Sequence, residues 1–149
     1  GVDYFFLCEA EFEAMLEKGE LLEHALVYGE HKGVPKAQVR QTLASGKDVL
    51  MRVDVQGAAT VRRLVPGVIT IFLSAASEEE LVARLKRRRT ESAEKLQHRI
   101  GLAREEMGRL PEFDYVVVNR ENQLDETVRQ IVAIMRAEKC RLGRREVEL

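Results

Sequence analysis

Two carboxylates, Glu23 and Asp54, belong to strand-like segments and are the first candidates for chemistry. Asp54 ends the apolar run VLMRVD, and Glu23 lies in LLEHALVY. A carboxylate at the end of an apolar strand needs a partner, because burying an unpaired charge is costly. Such a pair could bind a metal ion, act as an acid and a base, or accept hydrogen bonds from a nucleobase.

The nucleobase option distinguishes the two purines. Guanine offers hydrogen-bond donors at N1 and N2, whereas N1 of adenine is an acceptor that a carboxylate repels. Glu23 and Asp54 therefore fit a guanine-reading site. The alternative is structural: Glu23 is solvated, and Asp54 caps a helix that starts near Gln56. Spacing alone favours this structural alternative.

A second candidate is the basic segment RLKRRRTESAEKLQHR, which carries Arg84, Arg87, Arg88, Arg89 and Arg99. Guanidinium groups bind phosphate oxygens in bidentate geometry. A helix–turn–helix setting would let the segment close over a site as a flap. The alternatives are a solvated charged face or weak nucleic-acid binding. Because aromatic residues are not interleaved and no basic excess exists elsewhere, we expect no nucleic-acid partner.

Apolar strands that alternate with amphipathic helices must position these side chains. The patterns predict a turn at 31–35, strands at 3–7, 21–28, 48–54, 68–74 and 113–119, and helices at 9–18, 36–46, 58–64, 78–88, 94–110 and 124–141. This order predicts an α/β fold with a mostly parallel sheet and helices on both faces. Ligands of such folds lie beyond the carboxyl ends of the strands, where Asp54 and Asn119 are expected.

Length and composition exclude several classes of protein. The 149 residues fit one domain, and the 24 Lys and Arg nearly balance the 25 Asp and Glu, which gives no electrostatic reason to expect a membrane partner. No apolar stretch reaches the about 20 residues that span a bilayer. Cys8 and Cys140 have no metal-ligand or redox spacing, so we expect inert thiols and no metal site. A start without Met, already in strand-like sequence, indicates a fragment.

In combination these residues resemble the guanylate kinase family. The matching stretches, in order and across essentially the whole chain, are DYFFL, EFEAMLEKGELLEHALVYGEHKGVPKAQV, GKDVLMRVDVQGA, the Arg-rich flap and FDYVVVN. The variant GEHKGVP is similar to plant organellar members. The resemblance implies one P-loop NTPase-like domain over 1–149: a parallel sheet with helices on both faces, a GMP-binding subdomain at about 2–36, and an Arg-rich helical lid with its flanking helices at about 77–110.

The resemblance also implies roles in binding GMP. Tyr4 would donate its hydroxyl to the phosphate, while Glu23 and Asp54 would accept from guanine N1 and N2. The remaining expected contacts come from one short segment: Lys32, Gly33 and Val34. Lys32 replaces a usual Tyr and would meet the phosphate, and Gly33 would let the nucleotide approach closely. Val34 replaces a Ser or Thr, so one hydroxyl contact to guanine is absent.

Catalysis and ATP binding would fall to the lid and to the segment VVN. The implied catalytic residues, which neutralise the transferring phosphoryl group, are Arg84, Arg88 and Arg99, and Asn119 would join Arg88 at ATP. The implied reaction is the ATP-dependent phosphorylation of GMP to GDP in purine metabolism, with Mg²⁺ bound alongside ATP.

One family motif is absent from the sequence. The phosphate loop G-x-x-G-x-G-K-[ST] does not occur in these 149 residues, so we expect the stretch to be inactive by itself. The alternatives are a non-catalytic guanylate-kinase-like module that binds phosphorylated peptides and an inactive truncated isoform. We expect a monomer in the cytoplasm, a plastid or a mitochondrion, with any transit peptide upstream.

Overall fold

The fold was obtained as a computed structural model that describes residues 5–27, 30–87, 93–143, 147 and 149. Its contacts divide the chain into two units, 1–68 with 146–149, and 69–145. The first unit contains α1 (Glu9–Glu17), β1 (Leu21–Val27), β2 (Glu30–Pro35), α2 (Lys36–Ala44) and α3 (Val55–Leu64). The second contains β3 (Ile71–Ser74), α4 (Glu78–Arg87), α5 (Ala93–Gly108), a short 3₁₀ helix (Leu110–Glu112), β4 (Tyr115–Val118) and α6 (Leu124–Lys139).

Helix α1 begins and ends where the sequence predicts. The backbone N–H of Cys8 donates to the Glu11 carboxylate at 2.8 Å, which fixes the first turn. Gly19 adopts φ 65°, a left-handed conformation that terminates the helix with little strain.

Strand β2 corrects the prediction of a turn at 31–35. It pairs antiparallel with β1, and Val34 lies opposite Glu23 while Lys32 lies opposite Ala25. Most of β2 is exposed. Its sequence EHKGVP therefore lacks the apolar alternation that marks a half-buried strand, and only the hydrogen-bonded partner reveals it.

Two further predicted strands are wrong. Residues 48–54 form no strand in the described structure, although Val49 and Met51 pack against the core cluster of the first unit. That cluster consists of Leu22, Val39, Val61 and Val65. The apolar pattern thus predicted burial correctly, but a strand also needs a neighbour for its backbone hydrogen bonds. Residues 5–7 are exposed and outside any strand, while 3 and 4 lie outside the described residues.

The second unit confirms the predicted parallel pairing. Strands β3 and β4 pair in parallel, with Ile71 opposite Tyr115 and Ser74 opposite Val118. At their amino ends the Asp114 carboxylate accepts from the Thr70 backbone N–H at 2.8 Å and from its hydroxyl at 2.7 Å. This clamp sets which residues of the two strands face each other.

The three long helices of this unit follow the predicted segments. The Ser77 hydroxyl accepts from the backbone N–H of Glu80 at 3.2 Å and opens α4, as the sequence predicts. Helices α5 and α6 end two residues before their predicted limits, a normal uncertainty for helix ends. The described residues therefore form an α/β fold with one parallel and one antiparallel strand pair. None of the helices in the described ranges is long and apolar enough to cross a membrane.

Candidate functional site

The carboxylate site consists of Glu23, Asp54 and Gly57, which meet at the first turn of α3. Asp54 is the N-cap residue, and its Oδ1 accepts from the Gly57 backbone N–H at 2.7 Å. Glu23 reaches the same turn from β1: a Cβ placed on Gly57 would lie 3.2 Å from both Cγ and Oε1 of Glu23. The structure thus brings together the two carboxylates that the sequence singled out.

The electrostatics of the carboxylate site distinguish its two acids. Burial raises the pKa of the Glu23 carboxyl above its ordinary value, repulsion from Asp54 raises it further, and His24 acts in the opposite direction. Among the described residues, the Glu23 carboxylate has neither a hydrogen-bond partner nor an ion-pair partner. Its carboxylate therefore keeps its accepting capacity for a ligand.

The structural alternative for Asp54 is correct as far as it goes, because Asp54 does cap a helix. Capping uses one oxygen for one backbone N–H, and an ionised carboxylate has about four lone-pair positions. The capping role therefore leaves room for a second role in binding.

Strand β2 supplies the three neighbours that the sequence proposed. Residues opposite each other in an antiparallel pair project to the same face, so Lys32 and Val34 share the face of Glu23. Val34 also packs against the core cluster. The Lys32 ammonium lies 3.8 Å from the Glu30 carboxylate, and a good part of its side chain is exposed.

Gly33 has a packing role that the sequence did not indicate. A Cβ at this position would lie 2.9 Å from Cδ1 of Leu21 and 3.3 Å from Cε2 of Phe12. The space beside Gly33 is thus filled by the protein's own side chains, so its missing side chain serves packing between α1 and β1. The expectation that Gly33 lets a nucleotide approach closely stays a prediction.

The arginine site lies in the second unit and consists of Arg84, Arg87, Asn119 and Glu121. The Arg84 guanidinium donates to the Glu80 carboxylate and, at 2.6 Å, to the backbone carbonyl of Asn119. Asn119 directly follows β4, and its N–H donates to the Ser74 carbonyl at 2.8 Å. Two residues that the sequence proposed separately, Arg84 and Asn119, are therefore in direct contact.

The arginine site contains a second ion pair, between Arg87 and Glu121. Arg87 donates to both carboxylate oxygens of Glu121, and this hydrogen bonding lowers the pKa of the Glu121 carboxyl. The Asn119 side-chain oxygen accepts from the buried Thr127 hydroxyl at 3.2 Å. Arg99 lies half-buried on α5. Tyr4 and Arg88, both proposed from the sequence, lie outside the described residues.

Sequence reasoning missed the acids and the glycine that hold these groups. Glu80 stands four residues before Arg84, a spacing that places an ion pair on one helix face. Gly57 stands three residues after Asp54, the position whose N–H a capping side chain contacts. Both signals were present in the sequence. Within the described ranges, no group of three or more His, Cys, Asp or Glu could hold a metal ion.

The described residues define an α/β protein, and comparison identifies the family. The guanylate kinase family profile matches residues 1–138. The chain belongs to the guanylate kinase family.

Named relatives agree. Guanylate kinase 2, chloroplastic/mitochondrial, of Oryza sativa subsp. japonica is 50% identical over 150 residues, which cover 100% of this chain and 53% of the relative. The guanylate kinase of Coxiella burnetii is 42% identical over 149 residues, covering 100% of this chain and 71% of its own length. This chain therefore spans about half of the rice protein.

A solved structure supports the fold. The crystal structure of guanylate kinase from Anaplasma phagocytophilum matches with a TM-score of 0.74 and 33% identity, over 97% of this chain and 69% of that one. The sequence-based resemblance to the family, including its plant organellar members, is confirmed.

Proposed function

We propose that this protein acts in guanylate kinase catalysis, in which ATP and GMP react to give ADP and GDP in purine nucleotide metabolism. Membership of the family and the names of its relatives support the reaction class. The observation that carries the proposal is the meeting of the Glu23 and Asp54 carboxylates at the first turn of α3.

This arrangement matches the donors of guanine. The base presents N1–H and the N2 amino group side by side, and two neighbouring carboxylates supply acceptors for both. Adenine would place its N1 lone pair against an anion, and leaving a polar group unpaired in a desolvated site is costly. Ionised Glu23 is the accepting form, so GMP binding weakens as the pH falls through its raised pKa.

The phosphate groups are proposed to meet cations and a hydroxyl. Tyr4 and Lys32 bind the phosphate of GMP in this scheme. The transferring phosphoryl group is neutralised by Arg84, Arg88 and Arg99, and Arg88 and Asn119 contact ATP. Support for Arg84 comes from its half-buried position against the Asn119 carbonyl. Positioned charge of this kind supplies most of the catalysis in phosphoryl transfer.

Mg²⁺ is proposed to enter with ATP. This ion keeps several waters and is usually held by substrate phosphates with one or two carboxylates, so it needs no dedicated cluster in the described residues. When bound, Mg²⁺ neutralises charge on the phosphates.

The P-loop type of sheet, the GMP-binding subdomain at about 2–36 and the lid at about 77–110 belong to the same proposal. Because the 149 residues contain no phosphate-loop motif, we propose that they bind GMP but transfer no phosphoryl group by themselves. We also propose a monomer. A plastid or mitochondrial location has the support of the rice relative's name.

Calorimetric titration of the chain with GMP and with AMP tests the base-reading step. We expect GMP to bind at least about tenfold more tightly than AMP, since AMP cannot pair with both carboxylates. Equal affinity for the two nucleotides would contradict the proposal. A phosphorylated peptide that bound while GMP did not would favour a non-catalytic module instead.

A further inference from the structure

Gly57 lies buried in the first turn of α3, between the two carboxylates of the carboxylate site. Its N–H donates to Asp54 Oδ1 at 2.7 Å. On its other side, a Cβ would lie 3.0 Å from Cβ of Val53 and 3.2 Å from both Cγ and Oε1 of Glu23. Carbon–carbon contacts prefer about 3.5–4.0 Å. A side chain of any size at this position would therefore press on Glu23.

Backbone conformation does not require glycine at this position. The chain has glycines with positive φ at Gly19, Gly46, Gly67 and Gly143, and Gly57 is not one of them. Alanine could adopt the helical backbone at position 57, and it is the better helix former. What glycine provides here is space for the Glu23 side chain and for Cβ of Val53.

We propose that Gly57 is a positioning residue for guanine recognition, because its missing side chain lets the Glu23 carboxylate lie beside Asp54 at the first turn of α3. This inference rests on the proposed function of the site. A methyl group at position 57 pushes Glu23 toward solvent and separates the two acceptors. GMP then pairs with one carboxylate instead of two.

The test compares Gly57→Ala with Gly101→Ala in the 149-residue chain. Gly101 is also a helical glycine, but a Cβ there would meet nothing within 4 Å. We expect Gly57→Ala to weaken GMP binding about tenfold, the effect of one lost hydrogen bond to a charged group, and Gly101→Ala to leave it unchanged. Equal affinities of the Gly57→Ala variant and the wild-type chain for GMP would overturn the proposal.

A double-mutant cycle shows whether Gly57 acts through Glu23. Glu23→Ala removes the Cγ and Oε1 atoms that the new methyl group would press upon. In that background we expect Gly57→Ala to have no further effect on GMP affinity and to lower the melting temperature less than in the wild-type chain. Additive effects of the two substitutions would overturn the inference. If Gly57→Ala alone does not fold, recovery of folding in the double variant supports the inference. Failure to recover overturns it, because the contact with Cβ of Val53 and not with Glu23 would then be what requires glycine.

A readout without ligand separates this inference from the proposed function. Carbon-detected NMR follows the titration of the Glu23 side-chain carboxyl. In the wild-type chain we expect a pKa above the ordinary value, and in Gly57→Ala a shift back toward it, because Glu23 moves into water and away from Asp54. If the pKa of the Glu23 carboxyl is the same in Gly57→Ala as in the wild-type chain, the positioning role is contradicted. If the wild-type chain binds no GMP while this shift still occurs, the proposed function fails, and only the placement of Glu23 beside Asp54 by Gly57 stands.

Discussion

The Glu23 carboxylate in the carboxylate site has no hydrogen-bond or ion-pair partner among the described residues, whereas the Arg84 guanidinium in the arginine site donates to Glu80 and to the Asn119 carbonyl. Burial and the neighbouring Asp54 make the ionised form of the Glu23 carboxyl less favourable, and its pKa is therefore raised. In the arginine site, Arg87 lowers the pKa of the Glu121 carboxyl through paired hydrogen bonds.

The difference shows two ways to prepare a charged group for a ligand. An unpaired carboxylate destabilises the fold slightly and gains its full set of hydrogen bonds only when a donor arrives. A paired arginine contributes to the fold, is held in place, and must exchange a protein acceptor for a phosphate oxygen. We therefore expect substitutions in the carboxylate site to act mainly on binding, and those in the arginine site to act also on stability.

The largest expected effect concerns phosphoryl transfer. We expect the 149-residue chain to bind GMP but to release no measurable ADP, because neither site supplies the amides and Lys of a phosphate loop. A chimera that places a segment with the motif G-x-x-G-x-G-K-[ST] before Gly1 should be at least about a thousandfold faster. A coupled ADP-release assay compares the two proteins. Robust GMP-dependent turnover by the short chain would show that the arginine site suffices.

The next effect concerns the affinity for GMP. Glu23→Gln keeps the shape of the side chain but places an amide group against guanine donors. We expect GMP binding to weaken by about 1–3 kcal/mol, as measured by calorimetric titration. The matched control is Glu20→Gln, which changes an exposed acid just before β1 and should leave the affinity unchanged. If both variants bound GMP as tightly as the wild type, the carboxylate site would lose its assignment.

A smaller effect is expected on stability in the arginine site. Arg84→Met keeps an unbranched apolar side chain and removes both donated hydrogen bonds, so the free energy of unfolding should fall by about 1 kcal/mol. Arg129→Met is the control, because Arg129 pairs with Glu126 on the exposed surface of α6 and such pairs contribute little. Urea denaturation measures both variants. Equal stabilities would mean that the partners of Arg84 do not hold it.

The smallest effect is the pH dependence of stability at Glu23. Its folded pKa lies above the unfolded value of about 4.5, so the folded state binds the proton more tightly and loses stability as the pH rises through the folded pKa. Glu23→Gln cannot ionise and should gain about 0.5 kcal/mol relative to wild type between pH 4 and pH 7. The effect is small because solvent screens a partly exposed group. A stability difference that stays constant with pH contradicts the raised pKa.

Much of the fold could be predicted from local patterns. Helices α4, α5 and α6 carry their signals within a few residues, such as Ser77 before Glu80. Strands β3 and β4 were recognisable from their continuous apolar runs, although Leu73 and Val116 are exposed in the structure. The strand at 48–54 and the turn at 31–35 were wrong for one shared reason. Strands are defined by a hydrogen-bonded neighbour distant in sequence, which no local pattern reveals.

For the candidate site, too, the sequence could propose individual residues but not the contacts between them. Glu23 and Asp54 could be proposed from residue type and position, but not the contact that joins them through Gly57. The link from Arg84 to the Asn119 carbonyl spans 35 residues and involves a backbone atom. Backbone acceptors carry no signature in the sequence, so this contact had to come from the structure.

The hydrogen bonds between Thr70 and Asp114 fix the register of the β3–β4 pair at one end. Asp114 aligns the strands at their amino ends, and Asn119 leaves the pair where its N–H meets the Ser74 carbonyl. Strands advance by about 3.3 Å per residue, so Asp114 lies about 16 Å along the strand direction from Asn119, whose carbonyl Arg84 contacts. A slip of one residue would turn every side chain to the other face. The position of Asn119 in the arginine site is therefore set at the far end of the strand pair. A substitution at Asp114 would displace Asn119 without any direct contact between the two residues.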